Sequence, residues 1–430
     1  MKRQIISIWM VGVLAFGGVM STFGGGALET VDITGSVPSP VAGHIIARVI
    51  GMKWDARSIP VAYSMNTSIN PVPNPLGSPF LSIADAQAAL QASFDQWNNI
   101  PTSFINMQIT GSTTKTTNVG FDMINELSFR TATSFSAIAS SPSVSLISDT
   151  ELVDGAFLDN DGDPDVSSAI TAAMDVDGDG DIEFPAGFYK AGTILDNDVQ
   201  FNTKTSNGFR FTLGAENMDT NTRSVDLNTV ATHEFGHSHG LAHSMINQIG
   251  ADDGSGATMF PFIDTGDPAD QSAQASLAMD DISWSSYFYP EGTDVSGPAA
   301  LQPGDKAFSK EFGLITGDLH HGVLDQPIAG GSVFAMDWTT GRIVTGAYSG
   351  TTQLSRSSTG GLFLVSPEFN IVNGNYVIPV PKGNYSVGIE PVDGNPAAVT
   401  NISLTTQIGG FFGQQNFAEE FWNNNSENII

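Results

Sequence analysis

The first regular pattern along the chain is that of a strand. Residues 59–65 read IPVAYSM, with Val61, Tyr63 and Met65 alternating against smaller neighbours, as in an extended segment with one buried face. The period then lengthens. Ser82 followed by Asp85 marks a helix start, because a hydroxyl can cap the first N–H groups and a carboxylate suits the positive end. Leu90, Phe94 and Trp97 recur at helical spacing, and Pro101 stands just beyond the predicted end. Residues 102–148 are rich in Ser and Thr with scattered apolar positions, which predicts strands and surface loops without sharp boundaries. Further strands are predicted at 193–195 and 199–202. A second helix follows, with Asp226 as its cap and Val230, Ala231 and Phe235 turned to the core. A third begins at Asp280 and Asp281 and offers Ile282, Trp284 and Phe288 as apolar contacts.

Beyond this point the pattern changes character. Pro290, Gly292, Gly297, Pro298 and Pro303 interrupt regular structure, so 291–305 reads as a linker. From 306 onward only short alternating runs recur, at 314–316, 332–336, 342–344, 376–378 and 385–389. Turn formers such as Thr340-Gly341 and Lys382-Gly383-Asn384 stand between them. The fold class predicted is α+β. A mixed sheet with helices occupies 53–290, a small all-β sandwich 306–405, and a polar tail 406–430.

At 430 residues the chain can build two cores. Its net charge of −29 argues against nucleic acid or an anionic membrane as partner. Cysteine is absent, so there are no disulfides, and any metal must be held by His, Asp, Glu or backbone oxygen. Residues 1–27 have the make-up of a cleavable export signal: Lys2 and Arg3, an apolar run over 5–20, then small residues over 24–27. Gly17, Gly18 and the glycines at 24–26 interrupt the run, which favours a leader over a membrane anchor. The expectation is a secreted protein with no stable anchor after cleavage. Residues 28–52 are too few to form a domain of their own.

The chemistry concentrates in residues 233–243, which read HEFGHSHGLAH. On a helix, His233 and His237 lie about 40° apart on one face and one turn separated, so two imidazoles can bind one metal ion. Glu234 stands beside them, where a carboxylate can take a proton from water at the metal. Gly240 permits a positive φ that ends the helix and returns the chain, bringing His243 in as third ligand. Three protein ligands leave one position open, the arrangement of a catalytic rather than a structural zinc. His239 lies about 200° round the helix from His237 and points away from the metal.

A second chemical signal precedes it. Residues 149–183 carry many acids and no Lys or Arg, and hold two similar loops, 159–165 and 175–181. Asp159, Asp161, Asp163 and Asp165 alternate in the first; Asp175, Asp177, Asp179 and Asp181 alternate in the second. Oxygens at alternate positions can curl around one hard cation, which makes these eight aspartates candidate Ca²⁺ ligands in a structural role. Neither loop has a Glu at its twelfth position, so neither is a complete EF-hand, and Glu183 is a candidate to complete a shell.

The run HEFGHSHGLAHS resembles the zinc helix of the metzincin peptidases, and Ser244 after the third histidine resembles the matrixins, the matrix-metalloproteinase-like branch. Residues 257–261, ATMFP, resemble the Met-turn, with Met259 beneath the zinc; Met245 lacks the Pro two positions on. Residues 277–282, LAMDDI, resemble the start of the matrixin C-terminal helix, and Trp54, the strand at Tyr63 and the helix ending at Trp97 fit the matrixin opening. The resemblance implies zinc on His233, His237 and His243, Glu234 as acid and base, and hydrolysis of peptide bonds in protein or peptide substrates. An alternative of another class is a secreted adhesion or binding protein on a metzincin scaffold with little activity. The chain departs from the family pattern in having only His44 ahead of the helix, too few histidines for a second zinc there, and no cysteine for a latency switch. Residues 312–391 resemble, loosely, the prealbumin-like modules found beside carboxypeptidases, which implies a sandwich able to bind an unknown partner. His320-His321 there reads as a surface pair.

Overall fold

The structure is a computed structural model. It describes residues 51–68, 81–114, 124–130, 138–146, 184–185, 187–203, 211–214, 224–244, 246, 257–260, 263, 274–320, 331–349 and 374–389, together with the backbone of several further strands.

The predicted opening strand is β1, Val61–Asn66, and the helix at Leu90 is α1, Ile83–Asn98. Ser82 caps α1 by accepting from the Asp85 N–H. Between 102 and 148, where composition gave no boundaries, lie β2 (Met107–Thr113), β3 (Glu126–Arg130), β4 (Ala139–Ser140) and β5 (Ser143–Ser145). They are followed by β6 (Ile194–Asn197) and β7 (Val199–Asn202). Five of these strands form one sheet in the order β2-β1-β3-β7-β4. All pairings in it are parallel except that of β4, which runs antiparallel to β7 at the edge. Parallel strands covered on both faces are buried throughout, so β1 keeps no strict alternation: Ser64 and Asn66 are buried beside Tyr63 and Met65.

Helix α2, Leu227–Ser238, lies against α1. Phe94 and Phe235 stack at 3.8 Å between ring centroids, and the Trp97 indole donates to the Thr232 carbonyl at 2.9 Å. Asp226 caps α2 by accepting from the Thr229 N–H, and Val230, Ala231 and Phe235 are buried, all as the pattern predicts. Helix α3, Met279–Phe288, supplies a buried Trp284, with Ile282 and Phe288 half-buried against the same core. The end of this region closes on its beginning: the Tyr289 hydroxyl accepts from the Trp54 N–H.

Residues 291–305 are exposed over most of their length but are not detached. Glu291 donates through its N–H to the Thr102 carbonyl, and Lys306 does the same to Pro101. After a helical turn at Phe308–Glu311, the described elements are strands: β8 (Phe312–Asp318), β9 (Ser332–Asp337), β10 (Ile343–Tyr348), β11 (Asn375–Pro381) and β12 (Tyr385–Glu390). β8 pairs antiparallel with β11; β9 lies between β10 and β12. Val333, Ala335, Ala347, Ile378 and Val380 belong to one continuous apolar cluster with the residues around α2. The 28–52 segment contributes strands Glu29–Pro38 and His44–Gly51, the second paired with Leu354–Ser357. No helix among the described residues is long and apolar enough to cross a membrane.

Candidate metal centre

The three histidines converge. One ring nitrogen from each of His233, His237 and His243 lies within 4.8 Å of the others. His233 and His237 come from successive turns of α2. His243 returns because Gly240 adopts φ +96°, where any Cβ would also meet the Met52 carbonyl oxygen at 2.2 Å. Two of the rings are oriented by backbone carbonyls: His233 Nδ1 donates to Thr258 O and His237 Nδ1 to Leu241 O, each at 2.7 Å. Protons on Nδ1 leave lone pairs on Nε2, the tautomer a metal requires. His237 Nε2 and His243 Nε2 stand 3.2 Å apart. Two donors about 2.0–2.1 Å from one tetrahedral ion would be separated by about 3.3–3.4 Å, so this spacing fits zinc.

Burial tunes the same groups. It lowers the His233 pKa to about 4 and that of His237 to about 3, and holds His243 well below the ordinary value, which keeps all three neutral and able to ligate. Glu234 is buried as well, and desolvation pushes its carboxyl up to about 8. Its Oε2 has no hydrogen-bond partner among the described residues. A buried carboxylate oxygen without a partner, beside three convergent imidazoles, is what a site that works on a metal and a water requires.

Met259 packs against α2. Its sulfur lies against Gly236 on α2, and its carbonyl accepts from the Ser244 N–H at 2.8 Å. The Thr258-Met259 turn is held by Asp281 of α3, whose carboxylate accepts from the N–H groups of Thr258, Met259 and Ala278. His239 is kept apart from the cluster: it caps the end of α2, its Nδ1 donates to Phe235 O, and its ring meets Trp97 edge-on at 4.4 Å. His320 is exposed. The eight aspartates of the acidic loops lie outside the described residues.

Residues 167–289 match the family model for matrixin, a peptidase family. The chain carries a matrixin-like metzincin domain. No curated protein and no solved structure matches it. The matrixin match makes this a segment of metallopeptidase type and implies zinc, which the donor set fits. It starts within the acidic stretch and ends at α3, so it reaches neither β1 and α1 nor the strands after 305. In the sequence Ser244 is a mark of resemblance, and Asp280 and Asp281 are that and a helix start. Their hydrogen bonds give them positions in the site, and Gly236 was missed; a glycine in mid-helix beside a ligand was the available signal.

Proposed function

We propose that the protein is a secreted zinc metalloendopeptidase acting on protein or peptide substrates. The observation that carries this reading is the partnerless, buried Glu234 Oε2 beside the convergent His233, His237 and His243. Zinc, when bound, supplies Lewis acidity that polarises a carbonyl and makes water easier to deprotonate. The three histidines would hold it, and the rings of two of them, His233 and His237, are oriented by Thr258 O and Leu241 O. Glu234 takes the proton of the attacking water and returns it to the leaving amine, a shuttle that a carboxyl raised by burial toward neutrality can perform in both directions. Retention of Glu234 favours an enzyme over a binding protein on the same scaffold, since binding alone does not need it.

Export is supported by the basic start and apolar run of residues 1–27. Structural calcium is supported by the alternation of aspartates in 159–165 and 175–181. The strand patterns of 306–405 support a sandwich module, and its loose resemblance to prealbumin-like modules is what suggests a partner. The test of the enzyme reading is zinc content together with cleavage of an unfolded protein, with and without a zinc chelator. Glu234→Ala should abolish cleavage and leave zinc bound; retained turnover would remove Glu234 from the chemistry, and wild type that binds zinc without cleaving would favour the binding-protein reading.

A further inference from the structure

The matrixin match stops at residue 289, but the hydrogen bonds around the third histidine do not. Among the described residues, the ring of His243 has no backbone carbonyl to orient it, and its one close polar neighbour is His237 Nε2 at 3.2 Å. Its place is set through the next residue. Ser244 is buried, its N–H donates to Met259 O, and its hydroxyl donates to Asp280 Oδ2 at 2.6 Å. Asp280 is itself buried, and its other oxygen accepts from two donors that lie in β10: the Thr345 hydroxyl at 2.8 Å and the Gly346 N–H at 3.0 Å. The Gly346 carbonyl accepts from the Trp284 indole at 2.9 Å, so helix α3 holds both backbone groups of this residue.

The arrangement has a clear physical basis. β10 is the outermost strand of its sheet, and Gly346 turns its N–H and C=O away from β9, off the open edge. An edge needs cover, and α3 supplies it. A buried carboxylate also needs donors, and those that reach Asp280 among the described residues, Ser244, Thr345 and Gly346, are neutral, so losing one leaves the charge poorly solvated. Neighbouring Asp281 works the same way on the other side of the site, through the Thr258-Met259 turn to His233. The two carboxylates at the start of α3 thus reach two metal ligands by separate routes. The Asp281 route lies wholly within the matrixin match, and the Asp280 route leaves it.

We propose that β10 is a working part of the zinc site: through Asp280 and Ser244 it positions His243, making Thr345 a positioning residue for metal retention and turnover. Only the statement about turnover rests on the peptidase reading; the statement about metal stands apart from it. Removing outer-shell partners of a ligand commonly costs ~10–100-fold in metal affinity, and Thr345 acts through two hydrogen bonds and the backbone link from Ser244 to His243, so a smaller effect of ~3–10-fold is expected.

The experiment uses the full chain. Zinc affinity is measured by competition with a chromophoric chelator, and the site geometry by the visible absorption of the Co²⁺-substituted protein. Thr345→Val should raise the zinc Kd ~3–10-fold, alter the Co²⁺ spectrum, and lower kcat more than it changes KM. Thr345→Ser, which keeps the hydroxyl, should restore all three. Asp280→Asn is the second probe: it keeps an oxygen for Thr345 and Gly346 but sets an amide where Ser244 now donates, and should also weaken zinc. A folded Thr345→Val or Asp280→Asn protein with wild-type zinc Kd and Co²⁺ spectrum, even one with a lowered melting temperature, would show β10 to be only a docked neighbour and overturn the proposal. Wild type that holds zinc tightly but cleaves nothing would count against the peptidase reading and leave the metal result to be judged by itself.

Discussion

Met259 places its sulfur where a side chain on Gly236 would have to be. A Cβ built on Gly236 would stand 2.0 Å from Met259 Sδ and 3.0 Å from Trp97 Cζ2. Glycine within a helix costs about 0.5–1 kcal/mol relative to alanine, so its presence beside His237 calls for a packing reason, and the methionine is that reason. Gly236→Ala should therefore destabilise the protein, by about 1–3 kcal/mol from overpacking, despite the better helix former. Chemical denaturation of the variant checks this, and an increase in stability would mean that Met259 yields its place easily.

The Tyr289 hydroxyl both accepts from the Trp54 N–H and donates to the His239 carbonyl. Tyr289→Phe keeps the ring and strips both bonds, leaving two buried backbone groups without that partner. The expected loss is about 1–3 kcal/mol, seen as a lower urea midpoint with an unchanged slope. A midpoint equal to wild type would show that the two backbone groups find other partners.

Glu291 is buried where 291–305 begins, and its Oε2 has no hydrogen-bond partner among the described residues. Burial, with the nearby charge of Asp305 second, pushes its carboxyl up to about 7. Because this lies above the value in an unfolded chain, the folded state keeps a proton that the unfolded state gives up. The stability that the proton confers is present below the unfolded pKa and is lost as pH rises through about 7. Glu291→Gln should therefore raise the melting temperature at pH 8 and raise it less at pH 5.5. An equal effect at both values would show that the carboxyl does not titrate in this window.

If the alternating aspartates of 159–165 and 175–181 hold calcium, a calcium-selective chelator that leaves zinc in place should lower the melting temperature. Restoring Ca²⁺ should reverse the shift and Mg²⁺ should not, since the smaller ion demands stricter geometry. A melting curve unmoved by chelation would leave these loops as no more than acidic surface.

Local signals were readable wherever one segment decides its own structure. The Ser82 and Asp226 caps, the spacing of Leu90, Phe94 and Trp97, and the positive φ of Gly240 all follow from neighbours a few residues away. So does the convergence of His233 and His237. The five-stranded sheet was not legible between 102 and 148, because buried parallel strands such as β3, with Glu126, Ser128 and Arg130 inside, lack the alternation that marks a strand. Nor could spacing reveal what Asp280 touches. Its partners Thr345 and Gly346 come from the far side of a glycine- and proline-rich stretch that reads as a linker, yet whose ends are bonded to residues 101 and 102.

The last two residues of the zinc helix region bear on how the site comes into being. The Ser238 carbonyl accepts from the Trp54 indole and the His239 carbonyl from Tyr289, partners 184 and 50 residues away. The motif is contiguous in sequence, but the surfaces that close its end arrive from both extremities of the domain. A nascent chain that has just finished residue 243 possesses all three histidines and Trp54, but not Tyr289. Closure of this end of the helix is thus expected only after residue 289 has been made.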